Sequence, residues 1–240
     1  MDDIRHIAIM QPYFFPYIGY WQLVNLADKF VIYDDGNYII NGWINKNRIL
    51  GQGGFTSQLI SIDVSHASPN KKISEMERVI FPAKLRKIES SLEHRYRKAP
   101  FYQDSMEVIF PILENRETNL VRYLQFLLED VSKYLGITTE FYLSSEVEKD
   151  GLEHVSDKVF RICNHFGCTN YVNPIGGQVF YDKHDWKERG GVNLQFIRRD
   201  DDISYRQFDY DFVPDLSIID VMMFNSRDEI HDLLNRYTLL

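Results

Sequence analysis

The chain has 240 residues, 44% hydrophobic and 26% charged, and its 27 basic and 35 acidic side chains leave a formal charge of −8. This length and mix suit a folded chain with a sizeable core, and the negative balance argues against broad binding to nucleic acid or an anionic membrane. Two cysteines, Cys163 and Cys168, provide neither a disulfide framework nor zinc-ligand spacing, no apolar run reaches membrane-spanning length, and residues 1–5 hold two acids where a signal peptide would be basic, so a cytoplasmic protein without metal is expected.

In chain order, Ile7 to Met10 is an apolar run of strand length. Gln11 to Tyr17 follows, and its two prolines, Pro12 and Pro16, exclude a helix interior or a central strand. From Gly19 the apolar residues Trp21, Leu23, Val24 and Ala27 fall at helical spacing. Phe30 to Tyr33 is a second strand, ending at Asp34-Asp35. Strand, helix, strand predicts a βαβ unit with a parallel sheet and a right-handed crossover. Ligands of such sheets bind beyond the carboxyl ends of the strands, where Gln11-Pro12-Tyr13 and Asp34-Asp35 should both lie. The free N–H groups of the helix beginning at Gly19 predict an anion site beside Tyr17 and Tyr20.

Asn41-Gly42 predicts a tight turn and a hairpin between Tyr38-Ile39-Ile40 and Trp43-Ile44. Beyond it, Trp43, Asn45, Asn47 and Ile49 would share one strand face, and Lys46 and Arg48 the other. The turn Gly51 to Gly54 is glycine-rich but lacks the Lys-Ser/Thr of a phosphate loop. Thr56 to Val64 reads as a strand. Residues 75–135 form a helical insertion within one α/β domain spanning 1–240, with a break at Pro100 and a stop at Gly136. Its cations, Lys84, Arg86, Lys87, Arg95, Arg97 and Lys98, read as a solvated face, or as a basic flank for a phosphate-bearing ligand.

The α/β rhythm returns with a strand at Glu140 to Leu143, the pair Ser144-Ser145, a helix over Leu152 to Phe166 and a strand at Asn170 to Asn173. Gly176 and Gly177 in the next loop permit close backbone approach to a ligand, or a tight turn. Asn193 to Arg198 reads as the last strand, followed by a solvated Asp200-Asp201-Asp202 turn. Ser217 to Asp220 reads as a capping box, with a cleft-facing Asp220 as the alternative. Arg227 to Tyr237 reads as a terminal helix. The histidines are scattered, and His184 beside the glycine loop is an outside candidate.

The N-terminal unit, with Tyr17-Ile18-Gly19-Tyr20 after the proline loop, resembles the start of the nucleotidylyltransferase superfamily, whose H-x-G-H signature handles nucleotide phosphates. Both histidines are tyrosines here. A closer resemblance runs over five stretches in order: QPYFFPYIGYWQL (11–23), VIYDD (31–35), GWINKNRIL (42–50), YVNPIGGQ (171–178) and FVPDLSIIDVMMFN (212–225). These are similar to the WbqC-like family of bacterial O-antigen and surface-polysaccharide clusters.

The resemblances imply a Rossmann-like, nucleotidylyltransferase-like core with a helical insertion and a small hairpin. They imply a transferase that attaches an acyl or aminoacyl group, glycyl among them, to a nucleotide-linked amino sugar. The acyl donor is left open among an ATP-derived adenylate, a thioester and aminoacyl-tRNA, the last least suited to the negative charge. The strand-end rule and the family resemblance together nominate Asp34, Asp35 and Asp220 as proton acceptors. They nominate Gln11, Pro12, Tyr13, Tyr17, Gly19, Tyr20, Asn45, Asn47, Arg48, Asn173, Gly176 and Gly177 for substrate binding. A nucleotidylyltransferase-like or ATP-dependent amide-forming enzyme, and a non-catalytic ligand-binding protein, are the alternatives.

Overall fold

A computed structural model describes residues 6–54, 56–152, 154–181, 186–188 and 191–240; His184 lies outside them. The central sheet has six strands. They are β1 (His6–Met10), β2 (Lys29–Ile32), β7 (Glu140–Leu143), β8 (Asn170–Pro174), β9 (Asn193–Arg199) and β10 (Tyr237–Leu239), in the order β10-β9-β8-β1-β2-β7. β7, β2, β1, β8 and β9 are parallel, as the hydrophobic runs predict, and β10 alone is antiparallel.

The sheet is buried on both faces, and the pleat sorts its side chains between them. Ala8, Phe30 and Ile32 pack against α1 (Ile18–Leu26) and the helices α4 (Leu120–Leu135), α6 (Ile218–Phe224) and α7 (Arg227–Leu234). Ile7, Ile9 and Val31 point the other way, onto Val159, Ile162 and Cys163 of α5 (Val155–His165). α2 (Pro82–Tyr96) and α3 (Tyr102–Glu114) join the first of these cores through Ile88, Leu92, Tyr96, Ile109 and Ile112. Gly136 closes α4 in the left-handed conformation at φ 74°.

Two short antiparallel pairs lie outside the sheet: β3 (Lys46–Leu50) with β4 (Ser57–Ser61), and β5 (Asp63–Ser65) with β6 (Glu77–Val79). The hairpin therefore turns at Gly51 to Gly54 and not at Asn41-Gly42. Asn41 does take a positive φ of 67°, and Gly42 N–H bonds the Ile39 carbonyl. The flanking residues do not pair with each other, because the Tyr38 N–H bonds the Lys71 carbonyl and the Trp43 carbonyl accepts from Phe14. The terminal helix ends at Leu234, and Tyr237 opens the edge strand instead.

β1 connects through α1 to β2 on one side, whereas β8 lies on the other side of β1. The direction in which successive strands are added to the sheet reverses between β1 and β8. Their carboxyl ends form the crevice in which open parallel sheets place their ligands.

Candidate functional site

The proline loop between β1 and α1 is bound at most of its carbonyls. Tyr20 OH donates to the Gln11 carbonyl (2.9 Å). Asn47 Nδ2 donates to the Phe14 and Phe15 carbonyls (3.1 and 2.8 Å), and Ser217 Oγ donates to Phe15 as well (2.8 Å). Trp21 Nε1 and the Ile218 N–H both reach the Pro16 carbonyl at 3.0 Å. Tyr17 bridges to Ser217. Phe15 sits at φ 43° with its ring fully buried. A bulky residue in that region costs free energy, and the bonds to its carbonyl are what hold it there. The loop is a rigid ledge on which Tyr13 and Tyr17 stand.

Three cavities run along this ledge and share residues. The first, about 360 Å³, has Tyr13, Tyr17, Trp43, Asn47, Arg48 and Asp215 in its wall. The Arg48 guanidinium lies 4.9 Å above the Trp43 ring. The second, about 340 Å³, shares Tyr17 and Asp215 and adds Gly19, Arg198, Arg199 and Asp201. Arg199 pairs with Asp215 at 3.3 Å. The third, about 410 Å³, shares Pro174 and Gly176 with the second and reaches Gln11, Tyr33 and Asn173. Its floor is apolar, from Ile9, Met10, Val155 and Val159. The groove thus crosses the carboxyl edge of β1, β8 and β9. One end is aromatic with Arg48 and Asp215 in its wall, the middle carries further charges of both signs, and the far end is apolar at the topological switch.

Among the nominated residues, Gln11, Tyr13, Tyr17, Gly19, Asn47, Arg48, Asn173, Gly176 and Gly177 line this groove. Gly19 is matched to its neighbour: a Cβ there would stand 2.6 Å from the Tyr17 ring, so the ring lies over the first turn of α1. A Cβ on Gly177 would meet Asn173 Oδ1 at 2.1 Å, so this glycine accommodates the chain's own amide. Asn173 Nδ2 in turn donates to Tyr171 OH (2.6 Å).

The remaining nominated residues point elsewhere. Pro12 is buried. Asn45 Nδ2 bonds the Ile62 carbonyl (2.9 Å). Tyr20 is buried, and burial raises its phenol well above its ordinary pKa; its hydroxyl is committed to Gln11. Asp34 is 1% exposed and accepts from Ser144 Oγ (3.1 Å) and the Ser145 N–H (2.9 Å). Asp35 accepts from Ser144 Oγ and pairs with Lys149 at 3.2 Å. The serine pair after β7 is therefore a clasp for the end of β2.

Asp220 lies in the core. It accepts from Tyr96 OH (2.8 Å), Tyr205 OH (2.7 Å) and Gln207 Nε2 (2.6 Å). Ser217 does cap α6, accepting from Ile219 at 3.2 Å, but Asp220 does not complete a capping box, because its carboxylate is held by that trio and the Ser217 N–H bonds the Arg48 carbonyl.

Three groove residues were not singled out from sequence: Asp215, Arg198 and Arg199. Asp215 takes a positive φ of 57°, where aspartate is better tolerated than most side chains. Its place directly after Pro214 and two residues before the helix cap Ser217 is the signal the sequence carries. Burial raises the phenols of Tyr13 and Tyr17; Asp215 adds to the effect at Tyr17 and Arg199 opposes it. Both are neutral near pH 7, so they offer ring faces and hydroxyls, not bases.

A mostly parallel α/β sheet with a groove at its topological switch defines a Rossmann-like architecture. The chain belongs to the WbqC-like protein family, which it matches over residues 11–232. It is 29% identical over 234 residues to a Mycobacterium tuberculosis (strain ATCC 25618 / H37Rv) protein described as uncharacterized, covering 96% of this chain and 98% of that one. No solved structure matches. Among the described residues no helix is long and apolar enough to cross a membrane.

Proposed function

We propose that the protein transfers an acyl or aminoacyl group to the amine of a nucleotide-linked amino sugar, as a cytoplasmic step in building a surface polysaccharide. The observation that carries this reading is the graded chemistry of the groove. A nucleobase stacks on Trp43 and Tyr13, as aromatic faces allow. Its phosphates meet Arg48 and Arg199, whose guanidinium forks suit them. The sugar amine comes to Asp215, which lines both the first and second cavities. The acyl group enters the apolar far end.

In the transfer step the amine nitrogen attacks the acyl carbonyl carbon. The bond from that carbon to the donor's leaving group breaks, and the amine proton passes to Asp215. Gln11 Nε2 and the Gly19 N–H at the start of α1 are the available donors for the developing oxyanion. This reading moves the proton acceptor from Asp34, Asp35 and Asp220 to Asp215, the carboxylate that two parts of the groove share among the described residues. A nucleotidylyltransferase-like reaction is less suited, because Tyr20, at a position where that superfamily has histidine, is buried and spends its hydroxyl on the loop.

The test is a thermal-shift panel of nucleotide-linked amino sugars, ATP, CTP and coenzyme A, followed by mass spectrometry for an amide product. A free-amine sugar nucleotide should stabilise the protein by mass action. Asp215→Asn keeps the shape and the tolerated backbone, so it should melt like the parent and bind the sugar nucleotide. Its transfer rate should fall on the order of 10²-fold or more. Binding without any product across donors identifies a non-catalytic binder, and an Asp215→Asn variant with full activity removes this residue from the chemistry.

A further inference from the structure

A fourth cavity, of about 370 Å³, lies apart from the groove lining. Its floor is the β3–β4 turn, Gly51 to Gly54. One wall is the end of α2, with His94, Arg95, Arg97 and Lys98, and the other is Phe208 and Tyr210. No carboxylate is among the described residues of its wall, although the chain as a whole carries a charge of −8. Arg95 is anchored, donating from Nε and a terminal nitrogen to Gln58 Oε1 (3.2 and 3.0 Å). Arg97 and Lys98 are exposed and form no ion pair among the described residues.

The aromatic wall is built into the turn. Gly54 has φ 74°, and a Cβ there would fall 2.0 Å from the Tyr210 ring, so the ring rests on the glycine backbone. Phe208, at φ 55°, meets Tyr210 edge to face at 6.2 Å. Cations and a fixed aromatic ring in the wall of one cavity form the complement of a phosphate joined to a flat heterocycle. Basic residues at a helix C-terminus also offset the helix dipole, but that role requires neither the cavity nor the ring.

We infer that this cavity is a second binding site, for a small organic phosphate bearing an aromatic ring, of the adenine-nucleotide type. ATP and coenzyme A both carry this chemistry. The site stands independently of the reaction proposed for the groove. It adjoins the groove through β3, where Leu50 of this cavity follows Arg48 of the groove by two residues, about 7 Å along the strand.

Calorimetric titration of the full chain with inorganic pyrophosphate, ATP and coenzyme A tests the inference. ATP or coenzyme A should bind more tightly than pyrophosphate, and the tighter of the two names the source. The double variant Arg97→Ala/Lys98→Ala should weaken that binding by about tenfold or more, with its melting temperature unchanged because both side chains are exposed. Tyr210→Leu should erase the advantage over pyrophosphate while leaving pyrophosphate binding intact. Arg48→Ala removes a groove cation and should leave intact the binding component that the double variant loses. The inference is overturned if none of the three ligands binds at millimolar concentration, or if the double variant binds as the parent does. It is also overturned if binding is lost with Arg48→Ala instead, or if a short single-stranded RNA binds more tightly than either nucleotide. A double variant that only melts earlier would assign the cations to the helix end.

Discussion

Asp220 shows how far a residue's identity is from its role. Its carboxylate receives three hydrogen bonds, yet burial outweighs them and raises its pKa from 3.8 to about 6. The folded protein therefore holds this proton over an interval in which the unfolded chain has released it. The stabilisation is fully present below about pH 4 and is lost as pH rises through 6, with a magnitude on the order of 3 kcal/mol. Asp220→Asn keeps a polar group of the same shape that cannot ionise. Its stability relative to the parent should rise across that interval, read by thermal melts from pH 4 to 7; parallel profiles would mean that the carboxylate is not the titrating group. From sequence, Asp34, Asp35, Asp215 and Asp220 were four acids near motif ends. Which of them is solvated depends on Ser144, Lys149, Tyr96 and Tyr205, all distant in the chain, and no local pattern encodes that.

Among the elements, β3 is a strand whose buried face serves a loop. Asn47 spends its amide on two carbonyls of the proline ledge, while Arg48, next along the strand, turns outward to the groove. Asn47→Ala removes the partner of the buried Phe14 carbonyl and one of two partners of Phe15. A loss of about 2 kcal/mol is expected in urea unfolding, together with weaker ligand binding as Tyr13 and Tyr17 lose their footing. Unchanged binding would show that the ledge is held without it. The strand alternation of 46–50 was readable from sequence, and so were the parallel strands and α4 with its glycine stop. The hairpin turn was misplaced because Asn41-Gly42 makes a turn whose arms pair with other segments. β10 was missed because Tyr237 to Leu239 is short and continues the apolar spacing of α7.

At the scale of the whole molecule, the sheet places the groove where the direction of winding reverses, and that much follows from the order of strands and helices. What the order does not reveal is how late the ledge acquires its supports. Gln22 in α1 donates to the carbonyls of Leu233 and Arg236, 211 and 214 residues away, and Ser217 reaches Phe15 across 202. Contacts of such separation form slowly, because the loop they close must first lose its freedom. During synthesis, the stretch that opens the groove leaves the ribosome with Tyr20, Trp21 and Asn47 to follow soon, but without the bonds of Ser217 and Ile218 to Phe15 and Pro16 until the closing segment has followed it. Trp43, exposed on the groove wall, can time this event. In refolding monitored by fluorescence, ligand-induced change at Trp43 should appear only with the slowest phase, after bulk helix has formed. Competence to bind in an early phase would mean that the ledge sets without its distant clasps. A nascent chain interrupted before residue 217 would hold the aromatic wall in outline, gripped by Asn47 alone at Phe15 and lacking the second clasp that Ser217 closes.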